Sequence, residues 1–187
     1  NCEFNEITSL DFSNNPDLTY ITCRANELTF LNVTNNTLLI VLKFESNQLL
    51  NVDLTNNLLL EKLLGYSNIN MQNLDVTNND SLEVLIISNL GLSTIDLSNN
   101  LKLTELDVRS NQLSSLDLSN HTDLIDLKIG ANQLNTLDLR NGNNINMSLQ
   151  ATNNNLTCIN VDDTEWANEN WTNDNGSIDA QVSFSED

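Results

Sequence analysis

The first residues in this chain that could do chemistry are carboxylates recurring at a near-constant interval. Asp11, Asn32, Asp53, Asp75, Asp96, Asp117, Asp138 and Asn160 follow one another at steps of 21 or 22 residues, and the five from Asp53 to Asp138 are all aspartate. Hydroxyl residues flank them, among them Ser98, Ser115 and Ser119. If each step is one turn of a stacked chain, the carboxylates lie about 5 Å apart. At that distance they repel by somewhat under ~1 kcal/mol per pair in water, so the column needs hydroxyl partners, protons or cations. An oxygen-rich column could attract Ca²⁺. Two carboxylates at about 5 Å are also the pair that a retaining glycoside hydrolase uses. Against the first reading, the column lies on a flat surface and no D-x-D-x-D-G loop is present to wrap an ion. Against the second, a uniform exposed column supplies neither a sugar-shaped cleft nor one raised pKa. A solvated ladder is the expectation, with no metal site and no cofactor.

Other chemistry is sparse. The single histidine, His121, replaces an asparagine of a repeated turn and has no Ser or Cys partner implied by the frame, so it reads as a turn residue and no enzyme is expected. Cys2, Cys23 and Cys158 are too few for a disulfide framework. Only 7 Lys and Arg oppose 26 Asp and Glu, a formal charge of -19, which excludes nucleic acid and anionic membranes as partners. No apolar run approaches the roughly 20 residues that span a bilayer, so membrane insertion is not expected.

The elements that position these residues come from an internal repeat. One motif, apolar-Asp/Asn-apolar followed by Ser/Thr-Asn-Asn, starts at Leu10, Leu31, Val52, Leu74, Ile95, Leu116, Leu137 and Ile159. A second, L-x-x-L-x-apolar-x-x-N-x-L, is interleaved with it and reads Leu39, Leu42, Phe44, Asn47, Leu49 in one coil. Both alternate apolar and polar residues over about four positions and end in an Asn-containing turn, the pattern of short half-buried strands. The expectation is a repeat solenoid, mostly β: two strands per coil, two parallel sheets and a shared core. Asparagine satisfies turn backbone and tolerates the left-handed conformation. Asn26, Asn47, Asn68, Asn111, Asn132 and Asn153 should form one ladder, and Asn15, Asn36, Asn57, Asn79 and Asn100 another. An extra residue between Asn68 and Leu74, and Leu90 in place of a ladder asparagine, mark local irregularity. Cys2 and Cys23 share an inward position with Phe44 and Ile87 and read as small buried hydrophobes. Residues 1–161 are expected to form about eight coils of 21–22 residues, the first incomplete, and residues 162–187 a terminal cap containing Trp166, Trp171 and Phe184.

Alternation also assigns the outward positions of the first sheet. They include Tyr20, Thr22, Arg24, Val41, Lys43, Glu45, Lys62, Leu64, Tyr66, Val84, Ile86, Ser88, Glu105, Asp107, Arg109, Asp126 and Lys128. Five of the seven basic residues fall here, beside an apolar cluster of Val41, Leu64, Tyr66, Val84 and Ile86. On so acidic a chain this is a candidate contact face. The bland alternative is cross-strand pairing of β-branched and aromatic residues, with cations relieving repulsion.

The nested motifs resemble the bacterial 21-residue leucine-rich repeats of the IRREKO class, common in surface and secreted proteins of Bacteroidetes. The resemblance covers nearly the whole chain and is most specific from Asn153 to Asp163, at Trp166, at Asn170–Thr172 and at Ser183–Asp187. It implies a terminal cap that continues to a cysteine just beyond Asp187, which would pair with Cys158. Cys2, Asn5, Ile7 and Leu10 stand in frame with Cys23, Asn26, Leu28 and Leu31, so further coils are expected upstream. The resemblance further implies an exported protein at the cell surface or outside the cell, engaged in adhesion or binding. The expected partner is a protein, with an anionic polysaccharide as the alternative and a passive spacer as the third reading.

Overall fold

A computed structural model describes all 187 residues. Ten short strands follow in chain order: β1 (Tyr20–Thr22), β2 (Val41–Lys43), β3 (Lys62–Leu64), β4 (Val84–Ile86), β5 (Glu105–Asp107), β6 (Asp126–Lys128), β7 (Leu137–Asp138), β8 (Ser148–Gln150), β9 (Cys158–Asn160) and β10 (Ser183–Ser185). A 3₁₀ turn at Asn144–Asn146 and one helix, α1 (Thr164–Asn170), complete the chain. Seven strands form one parallel sheet in the order β1-β2-β3-β4-β5-β6-β8, and the other three a second, β10-β9-β7. Each strand pairs with its counterpart one coil away, so Ile21, Leu42, Leu63, Leu85, Leu106, Leu127 and Leu149 form a single inward row. Leucines from every coil corner join this row in one continuous core running the length of the stack.

The second side is only partly sheet: strand pairing appears only where β7, β9 and β10 meet. Along this side the carboxylate or amide oxygen of Asp11, Asn32, Asp53, Asp75, Asp96, Asp117 and Asp138 accepts the N–H two residues further on, at 2.8–3.1 Å. This local bond is made in the paired and the unpaired coils alike and fixes the chain where it leaves this side.

The two asparagine ladders form, but they are not equivalent. In the first, Asn47 donates through Nδ2 to the Cys23 and Phe44 carbonyls, both at 3.0 Å, while its Oδ1 accepts the Leu28 N–H at 3.0 Å. In the second, Asn57 donates to the Val33 and Asn36 carbonyls, and its Oδ1 is buried without a partner. The last rung of the first ladder is Asn154 rather than Asn153: its Nδ2 reaches the Ile129 and Ala151 carbonyls, and its Oδ1 accepts the Leu134 N–H. The inserted residue lies upstream, in the 3₁₀ segment, so β8 pairs with β6 at a step of 22 and shifts the rung by one. Asn153 instead occupies the left-handed position that precedes each rung, with φ 60°, as Ala25, Ser46, Ser67, Asn89, Ser110 and Ala131 do in theirs.

The irregularity near Leu90 is one event with two marks. Without an amide there, the Met71 N–H would be left unbonded. The extra residue makes a tight turn at Asn70, and the Met71 N–H donates to the Asn68 carbonyl at 2.9 Å instead. A second adjustment sits in the row Cys23, Phe44, Gly65, Ile87: a Cβ on Gly65 would stand 2.3 Å from Phe44 Cζ, so the ring occupies the space that Gly65 leaves. Cys2 and Cys23 are free thiols, as is Cys158.

At the far end Trp171 is buried, donates Nε1–H to the Met147 carbonyl at 3.2 Å, and packs edge-on to Trp166 at 5.4 Å and tilted to Phe184 at 6.0 Å. The Asp163 carboxylate accepts the Trp166 N–H and starts α1. Asp179 accepts the Asn153 and Asn154 N–H groups, a service performed elsewhere by carbonyls of the next coil. In the β10–β9 register Cys158 lies opposite Ser183.

Candidate functional site

The first sheet presents three outward rows. Tyr20, Val41, Lys62, Val84, Glu105 and Asp126 form one, and Thr22, Lys43, Leu64, Ile86, Asp107 and Lys128 the next. Beyond the strand ends come Arg24, Glu45, Tyr66, Ser88 and Arg109. All eleven candidate contact residues therefore lie on one face. Thr22, Glu45 and Asp107, outward by alternation, are nonetheless buried at 3%, 3% and 5% exposure, because neighbouring long side chains cover them.

The face divides in two. Over β5 and β6 the cations are consumed internally: Arg109 pairs bidentately with Asp107 through Nη2 at 2.7 Å and Nε at 3.0 Å, and Lys128 pairs with Asp126 at 2.5 Å and Glu105 at 3.8 Å. Over β1 the cations stack on rings, Arg24 on Phe4 at 5.2 Å and Lys43 on Tyr20 at 5.6 Å. Between these lies the apolar part, where Val41, Leu64, Tyr66, Val84 and Ile86 are all half-exposed around an exposed Lys62 that forms no ion pair. Beside it, burial pushes the Glu45 carboxyl up, opposed by the nearby Arg24 and Lys43 charges, and Glu45 Oε2 has no partner.

Nothing matches this chain among protein-family models or among curated proteins. Among solved structures, the functional domain of InlJ from Listeria monocytogenes is similar at 30% identity and TM-score 0.76, over 86% of this chain and 39% of that one. A leucine-rich-repeat protein from Leptospira interrogans shares the fold at 20% identity and TM-score 0.71, over 83% of this chain and 43% of that one. The fold is a leucine-rich-repeat stack. The chain spans less than half the length of either of these structures.

On the second side of this leucine-rich-repeat stack, the aspartate column finds the hydroxyl partners its charges require. Thr55, Thr77 and Ser119 donate O–H to Asp53, Asp75 and Asp117 at 2.6–2.8 Å, and together with the N–H bonds this holds these carboxyls below their ordinary range. Asp138 is held down chiefly by Arg140, bonded to it at 2.7 Å. The column is thus already solvated from within; Asp53, Asp75, Asp96 and Asp117 use one oxygen each, and Asp138 uses both on Arg140. Shallow clefts run along it, the largest about 400 Å³ between Asp117, Asp138, Thr136 and Asn160.

His121 departs from its sequence reading in one respect. It occupies the ladder position after Asn100, as expected of a turn residue, but it is 2% exposed and lines one of these clefts. The imidazole is too large to sit as an asparagine does, so its ring reaches the cleft wall. A lone histidine inside a row of asparagines was the only sequence signal for this. Alternation put Arg109 and Lys128 on this face without pairing them with Asp107 and Asp126; the one signal for the pairing was the i, i+2 spacing on one strand face.

Proposed function

We propose that this leucine-rich-repeat chain is a non-enzymatic binding module at the cell surface or outside the cell. It engages a protein partner through the middle of its first sheet. One observation carries the reading: Val41, Lys62 and Val84, and beside them Lys43, Leu64 and Ile86, are adjacent in register and half-exposed or exposed, with Tyr66 at their edge. Half-exposed apolar side chains on rigid strands lose little conformational freedom on contact, and aromatic and cationic anchors at a patch centre are the usual energetic hot spots. The likeness to the InlJ functional domain supports a protein-interaction role. A strip for anionic polysaccharide is less well supported, because Arg109 and Lys128 are neutralised by their own strands.

The test is a binding screen of the chain against immobilised surface proteins and glycans, with Lys62→Ala, Tyr66→Ala and Ile86→Ala combined as the comparison. A protein ligand lost in the triple variant and retained at high salt fits the proposal. A ligand whose affinity collapses with ionic strength would point to the glycan. A ligand kept by the variant would refute the assignment of this face, and no ligand at all would leave a spacer.

A further inference from the structure

The first sheet ends on an open edge that the cap closes only at its corners. Strand β8 is the last of that sheet. Ser148 and Gln150 turn their peptide groups to β6, with the Ser148 N–H donating to the Ile125 carbonyl and the Ile129 N–H to the Gln150 carbonyl, both at 2.8 Å. Those of Leu149 between them therefore face the other way. At either end of this edge the cap supplies a partner: Trp171 Nε1–H donates to the Met147 carbonyl at 3.2 Å, and the Ala151 N–H to the Ser177 carbonyl at 2.7 Å. No protein group bonds the Leu149 N–H or C=O in the middle. There a cleft of about 450 Å³ opens between β8 and the cap, with half-exposed Trp166 in its wall. None of its lining residues is charged, on a chain of formal charge -19. Asn146 and Asn170 each spend Nδ2 close by in the chain, on Asn143 and on the Trp166 carbonyl, both at 2.8 Å, and leave Oδ1 free beside the cleft. The far wall is fixed by Asn175, whose Oδ1 accepts the Thr172 and Ser177 N–H groups and whose Nδ2 reaches the Asn170 carbonyl at 2.7 Å.

We propose that this cleft binds a pyranose ring of an uncharged saccharide. Each sugar hydroxyl both donates and accepts, so two neighbouring hydroxyls satisfy the N–H and C=O that stand side by side on Leu149, and others meet the free amide oxygens. The apolar C–H face of the ring suits the indole of Trp166, a rigid amphipathic surface that loses little freedom on contact. A lining without charge offers an ionic ligand no counter-charge to replace its lost hydration, a cost that a neutral one does not carry. The volume falls in the range of roughly 300–1,000 Å³ typical of small-ligand sites. A peptide added as a further strand is the competing occupant, and it fails on length. It needs a run of free edge groups, whereas the cap has already taken those at Met147 and Ala151.

The experiment is an NMR titration of the whole chain with the methyl glycosides of glucose, galactose, mannose and N-acetylglucosamine, alongside methyl glucuronide, which carries a carboxylate, and acetyl-Gly-Leu-Gly-amide. The expected result is saturable shifts of the Leu149 amide and the Trp166 indole N–H with at least one neutral glycoside, unchanged by added salt. Trp166→Ala should weaken that binding about tenfold. Asn170→Ala probes the same cleft without touching the aromatic packing of the cap, since its side chain is exposed, and should weaken binding about fivefold. Lys62→Ala, on the distant patch of the same sheet, should leave affinity within about twofold. No saturable shift with any neutral glycoside, tighter binding of the glucuronide or the peptide, or full affinity in both the Trp166 and Asn170 variants would overturn the proposal.

Discussion

Replacing Asn47 by leucine should cost far more stability than the same change at Asn57, although both are buried ladder asparagines one coil side apart. Asn47 Nδ2 reaches the Cys23 and Phe44 carbonyls, but these also accept from Asn26 and Asn68, so neither is stranded by the substitution. The Leu28 N–H has no partner other than Asn47 Oδ1. Losing two donated bonds at about 1 kcal/mol each, and orphaning a buried N–H at about 1–3 kcal/mol, gives about 3–5 kcal/mol. At Asn57 the Val33 and Asn36 carbonyls keep the Asn36 and Leu39 N–H groups, and the lost Oδ1 had no partner. That substitution removes two bonds and one unsatisfied oxygen, for a net of about 1 kcal/mol. Equilibrium urea unfolding of both variants measures the difference directly, provided the slope is unchanged. Equal destabilisation of the two, or a larger effect at Asn57, would refute the account of what the ladders do. Leu90 already embodies the rule, since the one rung without an amide is the one whose N–H client, Met71, bonds elsewhere.

Three further outcomes follow from the packing and the charges. Gly65→Ala should destabilise by about 1–3 kcal/mol by driving a methyl into the Phe44 ring, and adding Phe44→Leu should recover most of the loss; thermal unfolding of the single and double variants reads this coupling. The His121 pKa is depressed in the folded state, so the unfolded chain takes up that proton first and stability falls as pH drops below about 6.5. His121→Asn removes this loss and restores ladder donors, so its stability curve from pH 7 to 5 should be flatter, with a gain of about 1 kcal/mol at the acid end; curves that fall in parallel would contradict it. Trp171→Ala should cost about 3–5 kcal/mol through the cavity between Trp166, Phe184 and the Met147 carbonyl, with faster amide exchange concentrated in β8 to β10.

Much of the architecture was legible because one period governs every residue type at once. The inward leucines, the ladder rungs, the aspartate column and the inserted residue near Asn70 all follow from the 21-residue step. What was not legible was where strand pairing on the second side begins and which neighbour a side chain takes. Alternation around Leu31, Val52 and Leu74 reads as strand just as it does around Leu137, yet only the last pairs with its neighbour, although Asp138 holds the Arg140 N–H as Asn32, Asp53 and Asp75 hold those of Thr34, Thr55 and Thr77. The rung at Asn154 was misplaced by one, since three consecutive asparagines, Asn153 to Asn155, fit the motif equally and only the position of the 3₁₀ turn decides among them. Alternation placed the eleven candidate contact residues on one side of the first sheet, but it also counted Thr22, Glu45 and Asp107 as outward, and these are buried. It did not reveal that Asp107 and Asp126 neutralise two of its cations, because geometry rather than pattern sets which neighbour a long side chain chooses.

The seating of Phe44 against Gly65 bears on how such a chain can change length. Copies of a repeat are ordinarily interchangeable modules, and arrays grow or shrink by duplication and loss of whole units. Duplicating the unit that carries Phe44 would set one ring against another, and losing the unit that carries Gly65 would press Phe44 onto Ile87, whose side chain fills the space the glycine leaves open. Units built on Ile87, Val108 and Ile129 carry no such constraint. Variation in copy number should therefore spare the Phe44 and Gly65 units, leaving the coils around Lys62 and Tyr66 at a fixed count.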